Sequence, residues 1–151
     1  MTPMSIIKLK TTRFGEIEFN SESIINFPQG IVGLEDYKSY VIDCIPWAGA
    51  FGWMQSTGES DLAFVITDPW MFCPDYEITL TKTDKEIIKY NEDQDISVYV
   101  IVLVSKDARS ITANLFAPII INNTEKKGKQ LVLEGSDYSM QYDLLQDGGG
   151  N

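Results

Sequence analysis

Histidine is missing from this chain, which removes together the commonest general base and the commonest metal ligand. Cysteine is almost missing. Cys44 and Cys73 lie too far apart for a metal motif and stand in apolar surroundings, so buried free thiols are expected, although sequence alone does not exclude a disulfide. No apolar run approaches the roughly 18 residues of a membrane span. The opening Met1-Thr-Pro-Met-Ser-Ile-Ile-Lys8 has neither the basic head nor the long apolar stretch of a secretory signal, so a cytoplasmic location is expected. There is no glycine-rich phosphate loop between a strand and a helix, and no Gly-x-Ser-x-Gly elbow. What remains to an enzyme is carboxylate chemistry, from Glu16 with Glu18 or Asp68 with Asp75, and such pairs are far more often solvated acidic faces. No catalytic residue, metal or cofactor is expected.

Positive charge is also scarce. Lys and Arg number 12 against 22 Asp and Glu, a formal net charge of -10, which repels a phosphate backbone and argues against direct nucleic-acid binding. Between Lys38 and Lys82 there is no cation at all, whereas Asp43, Glu59, Asp61, Asp68, Asp75 and Glu77 fall there. An acidic surface of this kind serves solubility, or it suits a basic protein partner. The basic cluster Lys126, Lys127 and Lys129 sits beside Glu125 and reads as a solvated hairpin tip. Asn122-Asn123-Thr124 is formally a glycosylation sequon, without meaning in the cytoplasm.

The chain does have enough for a core: 151 residues, 44% hydrophobic and 11% aromatic, with no repeat or linker dividing it. Ile6–Thr12 and Gly15–Asn20 alternate with the period of half-buried strands and should pair as a hairpin. Phe27-Pro-Gln-Gly-Ile-Val-Gly33 is a structured turn. Tyr37–Ile45 reads as a strand with Tyr40, Ile42 and Cys44 on one face, and Phe51–Thr57 and Leu62–Thr67 as a second hairpin. Tyr76–Leu80 alternates again. Thr83-Asp-Lys-Glu86 has the form of a capping box opening the single convincing helix, of two to three turns. Ser97–Ser105 is the strongest strand and looks buried on both faces; Ile111–Ala117, Ile119–Ile121 and Lys129–Glu134 complete the set. The fold expected is mainly β, a small antiparallel β-barrel-like or sandwich domain of about eight to ten strands with one short helix. It occupies residues 1–142, and the glycine-ended stretch 143–151 is expected to be a disordered tail.

The most informative stretch runs from Asp61 to Glu77. Its first half is core strand. In its second half Pro69 and Pro74 remove backbone donors, so Asp68–Asp75 should leave the sheet as a rigid loop carrying Trp70, Met71 and Phe72 between carboxylates. Such a loop is either a lid over the core or a protein-binding edge. On the second reading the contact surface is Asp68, Pro69, Trp70, Phe72, Pro74, Asp75, Tyr76 and Glu77, with Phe72 or Trp70 as anchor and the carboxylates as a steering rim.

An ordered set of motifs points to a family. Phe14-Gly-Glu-Ile17, Phe27-Pro-Gln-Gly-Ile-Val-Gly-Leu-Glu-Asp36, Trp53-Met-Gln-Ser56, Asp61-Leu-Ala-Phe-Val-Ile-Thr-Asp-Pro69, Pro74-Asp-Tyr76, Thr112-Ala-Asn-Leu-Phe-Ala-Pro-Ile-Ile-Ile-Asn122 and Lys127-Gly-Lys-Gln130 together resemble the flagellar assembly factor FliW family over residues 5–142. The resemblance implies a non-enzymatic cytoplasmic protein that binds flagellin before export. It also implies binding to CsrA, the RNA-binding translational regulator, and antagonism of it, so that flagellin synthesis follows export. A monomer is expected when neither partner is bound. The chain departs from the family pattern after Tyr138-Ser139, where it continues through Tyr142-Asp-Leu-Leu-Gln-Asp147. The reading from a different class is a small β-barrel carbohydrate-binding module or carboxylate-dependent hydrolase using the acidic stretch.

Overall fold

The computed structural model describes residues 5–42 and 44–145. Eleven strands and one α-helix are formed: β1 (Ile6–Thr11), β2 (Gly15–Asn20), β3 (Ile25–Asn26), β4 (Ser39–Val41), β5 (Phe51–Ser56), β6 (Ala63–Thr67), α1 (Lys82–Ile87), β7 (Ile96–Val104), β8 (Ile111–Ala113), β9 (Ile119–Asn122), β10 (Lys127–Gln130) and β11 (Tyr142–Asp143). β1 and β2 pair as the expected hairpin. From β3 the ladder runs through β4, β5 and β6 to β7, and β7 also pairs with β9, whose other neighbour β10 returns to β3. The sheet thereby closes on itself, which leaves few free edges. All pairings are antiparallel except β10 with β3, a parallel contact at Lys127 and Asn26.

The interior of this ring is apolar because each strand alternates. Ile25, Tyr40, Met54, Ile66, Ile119 and Ile121 come from five different strands and form one buried cluster with Phe27. Outside it, β1 and β2 lay Ile17 and Phe19 over Val41 and Ile45, and α1 covers Ile120 and Leu131 through Ile88. β4 stops at Val41, earlier than the Tyr37–Ile45 strand expected, so the alternation is lost and Cys44 packs with Val41 rather than with Tyr40 and Ile42. Glycine is required where surfaces close up: a Cβ on Gly128 would come within 2.6 Å of the Phe27 ring, and one on Gly30, at φ +67°, within 2.7 Å of the Glu35 main chain.

Four further expectations are corrected. The capping box opens two residues early: Thr81 is the N-cap, its Oγ1 accepting the Asp84 N–H at 3.0 Å while the Asp84 carboxylate accepts the Thr81 N–H at 2.9 Å. Asp84 also takes Lys129 Nζ at 2.8 Å, a tertiary contact that fixes which carboxylate closes the box. Tyr76–Leu80 keeps its alternation, Ile78 and Leu80 packing inward, yet joins no ladder among the described residues. The run Ile111–Ala117 pairs only to Ala113. Between the pairs Val102↔Ala113 and Tyr99↔Ile119 there are three steps along β7 (102 to 99) but six along its neighbour (113 to 119), so Asn114–Pro118 bulges out. Asn114 Oδ1 holds the bulge by accepting the N–H groups of Phe116 (3.2 Å) and Ala117 (3.1 Å). The return strand is regular only to Gln130, though Leu131 and Leu133 still donate to Pro118 and Phe116. At the far end β11 pairs with β8 and Leu144 N–H donates to Ile111. The rest of the expected tail, 146–151, lies outside the described residues, as do residues 1–4 and Asp43.

Candidate partner-binding surface

The proline loop is built from its own main chain. Asp68 is extended and caps a single 3-10 turn, Pro69–Met71, its Oδ1 accepting the Trp70 N–H at 2.9 Å. Pro69 needs no donor at the first position of such a turn, and its carbonyl accepts Cys73 N–H at 2.9 Å. Trp70 then folds back, Nε1 donating to the Tyr76 carbonyl at 2.8 Å with the two rings edge to face at 5.7 Å. Tyr76 is buried. Its hydroxyl donates to the Leu115 carbonyl at 2.7 Å, and its ring meets Tyr138 at 4.7 Å. Burial, with Tyr138 nearby, pushes the Tyr76 phenol far above its ordinary pKa. The Tyr138 hydroxyl accepts the Glu77 N–H at 2.8 Å, and Phe72 stacks on Phe51 at 6.1 Å.

The loop has an inward and a solvent-facing side. Pro69 and Tyr76 are interior, Asp68 spends its carboxylate on the cap, and Phe72 is half-buried; these four form the lid. Trp70, Pro74, Asp75 and Glu77 face solvent, and Met71, which was not among the candidate contacts, is the most exposed apolar residue of the loop at 61%. The solvent side is thus an apolar pair, Trp70 and Met71, beside two carboxylates.

A second surface was not legible in the sequence. The bulge at Asn114–Pro118 opens a groove of about 350 Å³ at the mouth of the barrel. Ile31, Phe64 and Ile101 are core side chains that reach its wall, and Val32, Leu103, Val132 and Met140 line it while exposed to solvent. The one signal for it was Asn114 and Pro118 interrupting an apolar strand. Its lining comes from separate segments that only the closed ring brings together. Nearby, the Gly33 N–H donates to Glu35 Oε2 at 3.0 Å and holds that carboxyl below its usual pKa.

Among the described residues no group of three or more Cys, Asp or Glu is placed to hold a metal ion, and no helix is long and apolar enough to cross a membrane. The chain matches the family model for the FliW protein over residues 8–144. It is 42% identical over 140 residues to the flagellar assembly factor FliW of Alkaliphilus metalliredigens, covering 92% of this chain and 86% of that one. To its counterpart in Moorella thermoacetica it is 37% identical over 142 residues, covering 93% and 90%. A crystal structure of the flagellar assembly factor FliW superposes with a TM-score of 0.85 at 34% identity, over 92% of this chain and 97% of that one. The family model and these relatives span nearly the whole described chain and the fold superposes on a flagellar assembly factor's, so this chain belongs to the FliW family.

Proposed function

We propose that this protein acts in the cytoplasm as a non-catalytic switch between two protein partners, holding flagellin before export and, once flagellin has left, binding CsrA and relieving its repression of flagellin synthesis. Family membership supports the partners; the loop supports a place for one of them. The observation that carries this placement is the pairing of exposed Trp70 and Met71 with Asp75 and Glu77 on a loop whose main chain is already locked. A rigid apolar anchor loses little entropy on binding, and the flanking carboxylates favour a basic surface such as that of an RNA-binding regulator. Displacement of RNA does not require the RNA site to be covered, because binding elsewhere on CsrA acts through different affinities for its free and RNA-bound forms.

The test is a titration of the purified protein against CsrA and, separately, against flagellin at two salt concentrations. Binding to both, with CsrA binding weakened by salt and displaced by flagellin, is the expected result. Failure to bind either partner removes the proposal.

A further inference from the structure

Residues 76–81 carry the side-chain alternation of a strand but belong to no ladder among the described residues, and their hydrogen bonds show which way the open edge faces. In extended backbone the N–H groups of alternate residues leave by the same edge. The Glu77 N–H ends on the Tyr138 hydroxyl at 2.8 Å and the Thr81 N–H on the Asp84 carboxylate at 2.9 Å. Thr79 stands between them, and neither its N–H nor its C=O has a hydrogen-bond partner among the described residues. Tyr138 and Asp84 both line a cleft of about 610 Å³, so the unused main-chain pair of Thr79 opens into it.

The opposite wall is residues 131–134. Leu131 and Leu133 donate to the carbonyls of Pro118 and Phe116 at 2.8 and 2.9 Å, so the Val132 N–H leaves by the other edge, toward the cleft. It too has no partner among the described residues, while the Val132 carbonyl is taken by the Glu134 N–H at 2.9 Å. Beneath both walls the packing is apolar. Ile78 and Leu133 lie on the Tyr76 and Val102 cluster, and Leu80 and Leu131 on that of Ile88 and Ile120. Thr79, Val132 and Glu134 are exposed.

These groups select the occupant. Unused N–H and C=O groups at strand spacing over an apolar backing suit an added strand, whereas a helix has already spent its own main chain. The usual protections of an open edge are missing: there is no proline from residue 75 to residue 117, and the one cation lining the cleft, Lys129, is held by Asp84 at 2.8 Å. Glu77 and Glu134 also line it, and neither carboxylate has a partner among the described residues. Three carboxylates therefore face one ammonium, which favours basic side chains on the incoming segment. A second copy of this chain is disfavoured, because it would bring another net charge of -10 to the contact.

We propose that this cleft takes an extended, basic segment of a partner protein as an added strand, exchanging main-chain hydrogen bonds with Thr79, accepting one from Val132, and setting Lys or Arg against Glu77 and Glu134. Glu77 also belongs to the proline loop, so the cleft continues that surface. The assignment depends on the chemistry of the segment and not on which protein carries it.

The experiment titrates the nitrogen-15-labelled full chain with three capped heptapeptides: one of alternating lysine and valine, its glutamate–valine counterpart, and the lysine peptide N-methylated at every amide, which keeps the charge but cannot donate. The lysine peptide is expected to move the Thr79 and Val132 amide protons downfield, to slow their exchange, and to bind about tenfold or more tightly than the other two. Thr79→Pro removes a donor that no internal bond uses, so the thermal midpoint should hold while lysine-peptide binding falls about tenfold or more. Glu77→Gln with Glu134→Gln leaves the main chain intact and should weaken binding and flatten its salt dependence. Absence of shifts at Thr79 and Val132 overturns the cleft as a site. Equal binding of the N-methylated peptide overturns strand addition in favour of charge alone. A wild-type dimer that Thr79→Pro dissociates overturns the basic partner in favour of a second copy. None of these outcomes bears on whether flagellin or CsrA binds, which the titrations above read separately.

Discussion

Two buried tyrosines show how much a single hydroxyl decides. Tyr40 and Tyr76 are 0% and 3% exposed; the Tyr76 hydroxyl donates to the Leu115 carbonyl, whereas the Tyr40 hydroxyl has no hydrogen-bond partner within the described residues. Tyr76→Phe leaves a buried carbonyl unsatisfied and is expected to cost about 1–3 kcal/mol in urea unfolding, while Tyr40→Phe should be neutral or stabilising. Burial also raises the Tyr40 phenol to about 12. Because the folded value lies above the unfolded one of about 10, Tyr40 supports folding fully below pH 10 and loses that support as pH rises toward 12. Tyr40→Phe should therefore shrink the alkaline loss of stability. Asp84 behaves oppositely. Burial raises its pKa, but hydrogen bonds from Lys129 and Thr81 outweigh that, and the net shift is downward. Its contribution is thus present above the unfolded carboxylate value of about 3.9 and lost as pH falls through the lower folded value. Asp84→Asn leaves the nearly buried Lys129 ammonium without its charge partner and should cost about 2–3 kcal/mol at pH 7, with wild type and variant converging in acid.

The element that sets the architecture apart from a plain barrel is the bulge between β8 and β9. Asn114 makes it by offering one oxygen to two main-chain N–H groups, as a turn-forming side chain does. Asn114→Ala is expected to lower stability by about 1–2 kcal/mol, and Asn114→Asp, which keeps the acceptor, should restore most of it. The urea midpoints of the three proteins check this. Elements of this kind mark the limit of what the residues reveal. The β1–β2 and β5–β6 hairpins were legible because alternation and turn residues are local. The loop was legible because two prolines forbid a ladder. The bulge that Asn114 holds was not legible, because the three missing residues of register belong to β7 and not to its own segment. Likewise Tyr76–Leu80 carries the period of a strand, and its lack of a neighbour is decided by α1 and Leu133 packing around it. Thr81 rather than Thr83 caps α1 because Lys129, far along the chain, holds Asp84.

At the scale of the molecule, the distribution of charge predicts how the proposed loop contact responds to salt and to substitution. The proline loop presents its carboxylates in a stretch without any cation from residue 39 to residue 81, so CsrA binding there should carry a large electrostatic component. Asp75→Lys with Glu77→Lys alters two exposed side chains with no structural hydrogen bond through their carboxylates, and stability should stay within about 0.5 kcal/mol of wild type. The same double variant should weaken CsrA binding about tenfold or more at low salt, chiefly by slowing association, and the deficit should shrink as salt rises. Surface plasmon resonance at two salt concentrations measures both rates. An equal loss toward both partners would mean that they share the loop, and an unchanged CsrA association rate would place the regulator on another face of the barrel.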